Sequence, residues 1–191
     1  MINLKIITST TRPGRKGIAI AKWITDLAVS DPGYQAELLD LGAINLPLMD
    51  EPNHPRLQQY QHEHTKRWSA KINEADAFII VLAEYNFSFP APIKNALDYL
   101  YHEWKYKPVS FVSYGGVSGG LRSVQMLKQV VTTLNMVPVL ESVTIPMFSN
   151  FLDDQDTFNP NELISKSAQV MLQELKTWSD SLKQLREKKK S

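Results

Sequence analysis

A chain of 191 residues, 43% hydrophobic and 21% charged, has the composition of one folded domain with its own core rather than of a disordered segment. It contains no cysteine, which rules out disulfides, thiolate metal centres, iron–sulfur clusters and cysteine nucleophiles. The formal net charge of +1 conceals a basic run at 186–190 (REKKK), expected to be a solvated helix end, without which the chain is mildly acidic, so neither a nucleic-acid nor a membrane footprint is expected.

The N-terminus runs straight into residues 4–8 (LKIIT), a short apolar strand, with no charged-then-apolar leader ahead of it. No apolar stretch approaches the roughly 18 residues of a bilayer span, so a cytoplasmic protein is expected. After a polar loop at 8–17 (TSTTRPGRKG), Ile18, Ala21, Ile24, Leu27 and Ala28 recur at helical spacing until Asp31-Pro32-Gly33 stops them. Residues 36–41 (AELLDL) predict a second strand. The loop at 46–55 carries Pro47, Pro52 and Pro55 and is long enough to line a pocket.

A helix, polar on most faces, is predicted over 56–74. Residues 77–83 (AFIIVLA) have the near-continuous apolar pattern of a strand buried on both faces. The loop 83–92 (AEYNFSFPAP) leads into a short helix over 92–102, with Pro92 suited to its first turn. Residues 109–113 (VSFVS) predict the fourth strand and 113–120 (SYGGVSGG) a glycine-rich loop. A helix over 121–134 follows, with Leu121, Val124, Leu127, Val131 and Leu134 on one face. The fifth strand is predicted at 137–141, and 142–161 has no period. Ile164, Ala168, Met171, Leu175, Trp178, Leu182 and Leu185 then mark one long amphipathic helix that covers the sheet or a neighbouring subunit.

Five strands alternating with five helices, in one domain over 1–191, call for right-handed crossovers and a doubly wound parallel α/β sheet in three layers. Loops at the carboxyl ends of adjacent strands in such a sheet meet in one crevice. The loops 8–17, 83–92 and 113–120 are therefore expected to face a single ligand.

The first of these loops opens a helix, where unpaired amides and the helix dipole favour an anion. Thr8, Ser9, Thr10 and Thr11 add hydroxyls, Arg12, Arg15 and Lys16 add positive charge, and Gly14 and Gly17 relax the backbone so that it can approach a phosphate. A phosphate cradle and a plain polar surface turn both satisfy this composition. Neither G-x-x-x-x-G-K-[ST] nor G-x-G-x-x-G occurs, so the common nucleotide loops are absent, and the flavodoxin-like branch of doubly wound folds fits better. The segment 116–120 (GVSGG) matches the G-x-S-x-G of hydrolases, but that fold needs a histidine after the serine. His54, His62, His64 and His102 all precede it. His62 and His64 stand two apart, on different sides of a helix, and no metal site is expected there.

Residues 84–92 (EYNFSFPAP), followed by 93–98 (IKNALD), resemble the signature of the NADPH-dependent FMN reductase family, P-E-Y-N-x-S, a proline-rich turn, then K-N-A-[IL]-D. The family's first loop, G-S-x-R, is similar to 9–12 (STTR). Its third, a serine and glycines followed by G-G-x-R, is matched by Ser113, Gly115, Gly116, Gly119, Gly120 and Arg122. Ser9 stands where the family has glycine, Ala83 where it has proline, and Arg15 where serine is common.

The resemblance implies a flavodoxin-like sandwich with strand order 2-1-3-4-5, bound FMN, and NADPH or NADH as hydride donor. By it, Thr10 and Arg12 hold the FMN phosphate and Arg15 adds a second charge. Glu84, Tyr85, Asn86 and Phe87 pack and hydrogen-bond beside the isoalloxazine, while Ser113, Gly115 and Gly116 meet its polar edge. It further implies a small electron acceptor (quinone, free flavin, azo compound or metal oxyanion) and a homodimer or homotetramer. A non-enzymatic flavodoxin-type carrier and an FMN-binding sensor are the alternatives. Tyr99, Tyr101, Trp104 and Tyr106 line the cleft, form a subunit interface, or pack under the sheet edge.

Overall fold

A computed structural model describes residues 1–189. Four full strands form its sheet: β1 (Ile2–Thr8), β2 (Tyr34–Leu39), β3 (Ala77–Ala83) and β4 (Pro108–Tyr114). Two short strands, β5 (Val137–Pro138) and β6 (Val143–Ile145), both pair with β4. All pairings are parallel and the order is β2-β1-β3-β4-β5, as expected.

The fifth strand departs from the single run predicted at 137–141. Pairing lapses at Leu140, whose side chain is thrown out to solvent. Across the gap the Ser110 hydroxyl donates to the Glu141 carbonyl at 2.5 Å, standing in for the missing ladder bond, and pairing resumes at Val143.

The helices are α1 (Gly17–Val29), α2 (Leu41–Ile44), α3 (Glu63–Glu74), α4 (Ala91–Asp98), α5 (Leu121–Thr133) and α6 (Glu162–Lys188). β3 shows why two helical layers are needed. Its period of two sends Ala77, Ile79, Val81 and Ala83 into one core with α1 and α6, and Phe78, Ile80 and Leu82 into the other with α3, α4 and α5. Each fully buried isoleucine or leucine contributes roughly 1.5–3 kcal/mol, so both faces of this one strand are strongly driven inward.

The helix predicted over 56–74 begins only at Glu63. Pro55–Leu57 is an isolated 3-10 turn, ended by Gln58 at φ 51°. The Glu51 carboxylate then accepts from the amides of Gln61 (2.8 Å) and His62 (3.0 Å), tying down from another segment the residues that lead into α3. Residues 142–161, read as irregular, contain β6 and a 3-10 turn at Phe148–Phe151. Phe148, Phe151 and Phe158 seal the α1 side of the core, with Phe158 5.1 Å from Trp23.

At the C-terminus, Arg186 departs from the expected solvated end. It is half-buried, pairs with Asp76 at 2.9 Å and donates to the Tyr106 carbonyl at 2.9 Å. Lys190, the last basic residue of the run, lies outside the described residues.

Glu103, buried in the 3-10 turn His102–Trp104, pins the strap between the Pro-rich loop and α3. It accepts from Ser69 Oγ (2.7 Å), Tyr60 Oη (2.9 Å) and the Tyr101 amide (3.3 Å). Glu103→Leu strands those donors and is expected to cost about 3 kcal/mol. Urea unfolding of the two proteins measures it.

Candidate functional site

The three loops converge at the carboxyl edge of β1, β3 and β4. At the end of β1, Thr8, Ser9 and Thr10 are all buried, but two of their hydroxyls are spent inside the protein. Thr8 Oγ1 donates to Asp40 Oδ1 (2.9 Å) and accepts from the Leu41 amide (3.0 Å), tying β1 to the end of β2. Ser9 Oγ accepts from the Ala83 amide (3.0 Å), tying β1 to β3. Thr10 Oγ1 is buried with no hydrogen bond of ordinary geometry. The Tyr114 phenol stands near it. Burial pushes that phenol up to about 12, against the pull of the Thr10 hydroxyl and of the charges on Arg12 and Arg15.

Arg12 is exposed at the mouth of this loop, where its carbonyl accepts from the Arg15 amide at 3.1 Å. Gly14 follows at φ 70° with open space around it. The Arg15 guanidinium is engaged elsewhere: it ion-pairs with Asp40 and lies flat on Gly42, where a Cβ would stand 2.6 Å from Nη2. Asp40 also caps α2 through the Gly42 amide. The expected second charge at the cradle is thus placed in a brace between the first loop and the end of β2. Lys16 is likewise paired, with Asp156 at 2.5 Å. Gly17 has a steric reason: a Cβ there would stand 2.1 Å from the Tyr114 hydroxyl.

The second loop is a tight hairpin. Tyr85 and Ser88 exchange backbone hydrogen bonds (2.8 and 3.0 Å), and the two residues between them, Asn86 and Phe87, both have positive φ, 50° and 69°. The type I′ two-residue hairpin requires this backbone at both places, and asparagine tolerates it far better than phenylalanine. The turn lifts Tyr85 and Phe87 into solvent at the crevice rim. Glu84 goes the other way. Its buried carboxylate accepts from Ser118 Oγ (2.8 Å) and Arg122 Nε (2.6 Å). Burial works against its charge, but the hydrogen bonds from Arg122 and Ser118 and the guanidinium charge outweigh burial and hold the carboxyl below the ordinary glutamate range.

In the third loop, Ser113 Oγ donates to the Val143 carbonyl at 3.4 Å and the Gly115 amide to the Ile145 carbonyl at 3.3 Å, so both are tied to β6. The Gly116 carbonyl accepts from Gly119 and Met147. The Gly116 amide makes no such bond among the described residues, and nothing lies within 4 Å of where its Cβ would stand. Gly119 (φ 59°) and Gly120 (φ 85°) turn the chain into α5.

Between the first loop and the Pro-rich segment lies a cavity of about 230 Å³ whose walls include Thr11, Leu41, Leu46, Leu48, Pro92 and Asn95. Asn95, from the K-N-A-L-D stretch, holds the segment over it by accepting from the Met49 amide (2.9 Å) and donating to the Pro47 carbonyl (2.6 Å). Tyr99 Oη donates to Asp50 Oδ1 (2.9 Å), which His64 Nε2 also meets at 2.9 Å. His62 and His64, expected on different sides of a helix, are stacked with centroids 5.2 Å apart. His62 is the residue before α3, in extended conformation, so helical spacing does not govern the pair. Of the four clustered aromatics, Tyr99 and Trp104 are packed in the core, and Tyr106 lies at the far end of the sheet beside Arg186 and Lys189.

The sequence reading passed over Asn95, Ser118, Arg122 and the Tyr114 phenol as site-builders. Only Asn95 and Arg122 carried a signal, as members of the matched motifs. A crevice with an unpartnered buried hydroxyl, an exposed arginine and a free glycine amide, rimmed by aromatic rings, suits an anionic ligand with a planar body.

Residues 2–150 match the model of the NADPH-dependent FMN reductase family. An NAD(P)H-dependent FMN reductase of Schizosaccharomyces pombe is 40% identical over 145 residues, 74% of this chain and 72% of that protein. An NADPH:quinone oxidoreductase of Arabidopsis thaliana is 35% identical over 113 residues, 56% and 54% of the two chains. Among solved structures, FerB, a flavoenzyme NAD(P)H:(acceptor) oxidoreductase from Paracoccus denitrificans, superposes with a TM-score of 0.77 over 95% of this chain and 98% of its own. Its 22% identity makes this a likeness of fold.

Proposed function

This chain belongs to the NADPH-dependent FMN reductase family, and from that premise we propose that it passes reducing equivalents from NAD(P)H, through FMN bound in the three-loop crevice, to a small acceptor: a quinone, free flavin, azo compound or metal oxyanion. The observation that carries the site assignment is the buried Thr10 hydroxyl, with only the Tyr114 phenol near it and no hydrogen bond of ordinary geometry, beside an exposed Arg12 at the opening of α1. A polar group left so costs free energy unless a ligand satisfies it.

FMN supplies the redox chemistry, a centre able to take up a hydride and release its electrons. The residues bind and orient it. Thr10 and Arg12 take the phosphate, one by hydrogen bond and one by charge, while Arg15 braces their loop from behind through Asp40. Tyr85, Asn86 and Phe87 would wall the ring, and the Gly116 amide would supply a donor for its polar edge. Ser113 and Gly115 position that amide through their bonds to β6. Asn95 and Tyr99 hold the Pro-rich segment as the outer wall of the acceptor's approach. No side-chain acid or base is needed for hydride uptake.

The reading includes a homodimer or homotetramer in the cytoplasm. The oligomer is supported by the apolar side chains left open on the loops of the crevice, Leu48, Phe87, Val117 and Leu121 among them. No helix among the described residues is long and apolar enough to cross a membrane.

The test is a visible spectrum of protein incubated with FMN and desalted, followed by anaerobic NADPH and then NADH. Retained flavin bands that bleach with either donor are the expected result. Retained flavin that only dithionite bleaches would sink the reductase reading, and no retention together with no quenching in an FMN titration would sink the flavin site itself.

A further inference from the structure

Arg122 sits in the first turn of α5, where a cation opposes the helix dipole. Its surroundings explain why it stands there. The guanidinium ion-pairs with Glu84 and donates from Nε at 2.6 Å, while Nη2 reaches Ser118 Oγ at 3.1 Å. Ser118 Oγ in turn donates to the other Glu84 oxygen at 2.8 Å. The guanidinium carbon also lies 3.7 Å from the centroid of the Phe87 ring, the distance of a stacked cation–π contact. One arginine therefore touches both ends of the second loop's turn, Glu84 at its root and Phe87 at its tip, from the third loop's side of the crevice.

We propose that Arg122 is a positioning residue that locks the second and third loops into one rigid wall and holds the Phe87 ring upright over the flavin crevice. The turn needs such a lock. Phenylalanine at φ 69° is strained, and the residue is 66% exposed, so local backbone preference and the apolar effect both favour its leaving this position. Among the described residues, the hairpin's own backbone hydrogen bonds are the two between Tyr85 and Ser88. The guanidinium covers one face of the ring and leaves the other open to a planar ligand. Lysine could pair with Glu84 but could neither fork onto Glu84 and Ser118 together nor stack flat on the ring. This assignment rests on the flavin reading for its consequence, not for its geometry.

The experiment compares wild type, Arg122→Ala, Arg122→Lys and Phe87→Leu as ligand-free proteins, by hydrogen exchange at the Tyr85 and Ser88 amides and by FMN titration. Arg122→Ala is expected to speed exchange at both amides and to weaken FMN binding, each by about tenfold, the scale of a lost arginine–carboxylate fork and its stacking contact. Arg122→Lys should fall between wild type and Arg122→Ala. Phe87→Leu removes the stacked face alone, so adding Arg122→Ala to it should cost less than Arg122→Ala costs in wild type.

Unchanged exchange at both amides in Arg122→Ala, or an arginine effect no smaller in the Phe87→Leu background, would overturn the proposal. Should wild type bind no FMN, the flavin reading falls and the exchange data still decide the lock. Should Arg122→Ala fail to fold, Arg122→Lys and Phe87→Leu decide it by the same readouts.

Discussion

Gly17→Ala is expected to destabilise the protein by about 3 kcal/mol and to abolish FMN retention, although alanine is the better helix former by up to about 1 kcal/mol. The sign follows from packing. A Cβ at position 17 would stand 2.1 Å from the Tyr114 hydroxyl and 2.8 Å from Cζ, distances at which something must move. Tyr114 has little room: it is buried at the end of β4, with Phe148 edge-on at 5.1 Å. α1 would therefore shift outward, and with it the turn that carries Thr10 and Arg12. Thermal unfolding reads the first effect, at roughly 2–4 °C for each kcal/mol in a chain of this size. Adding Tyr114→Phe removes the atom at 2.1 Å but leaves the one at 2.8 Å, so the double variant should recover part of the loss. A Gly17→Ala protein as stable as wild type would show that Tyr114 yields to the added Cβ and that the glycine is not sterically required.

The contrast between Gly17 and Gly14 marks what a sequence can disclose. Both read as glycines that let a backbone approach an anion. Gly14 has the positive φ and open surroundings of that role, whereas Gly17 is required by a side chain almost a hundred residues away. The strands were legible for the opposite reason. An uninterrupted apolar run such as 77–83 has no solution except burial on both faces, so its neighbours need not be known. Where remote partners decide, the reading failed. The residues leading into α3 are held by the Glu51 carboxylate of another segment, and the fifth strand is interrupted where Leu140 leaves the ladder.

Charge shows the same division. That Arg12 and Arg15 lie in one loop is plain from the sequence. That Arg15 is taken by Asp40, which Thr8 and the α2 amide also engage, follows from β2 ending beside β1. The clustering of the three loops came from the alternation of elements, and the motifs supplied which residues faced inward. Neither disclosed Arg122 as the link between two of those loops, because the link depends on Phe87 adopting a backbone that its side chain disfavours.

Thr10→Val is expected to separate the stability of the ligand-free protein from its affinity for FMN. In wild type the Thr10 hydroxyl is buried beside the Tyr114 phenol without a hydrogen bond of ordinary geometry, a state that costs about 1–3 kcal/mol for a polar group. Valine has the same shape and no such penalty, so the ligand-free variant should unfold at the same or a higher urea concentration. With FMN present the sign reverses. A hydrogen bond to a charged phosphate oxygen contributes about 1.5–3 kcal/mol, so the variant should bind FMN roughly ten- to a hundredfold more weakly. Arg12→Ala provides the charge control: Arg12 is exposed, so its removal should leave unfolding within about 0.5 kcal/mol of wild type while flattening the salt dependence of FMN binding. A Thr10→Val protein that is less stable than wild type yet binds FMN equally well would place the hydroxyl's partner inside the protein, at Tyr114, and the phosphate away from this loop.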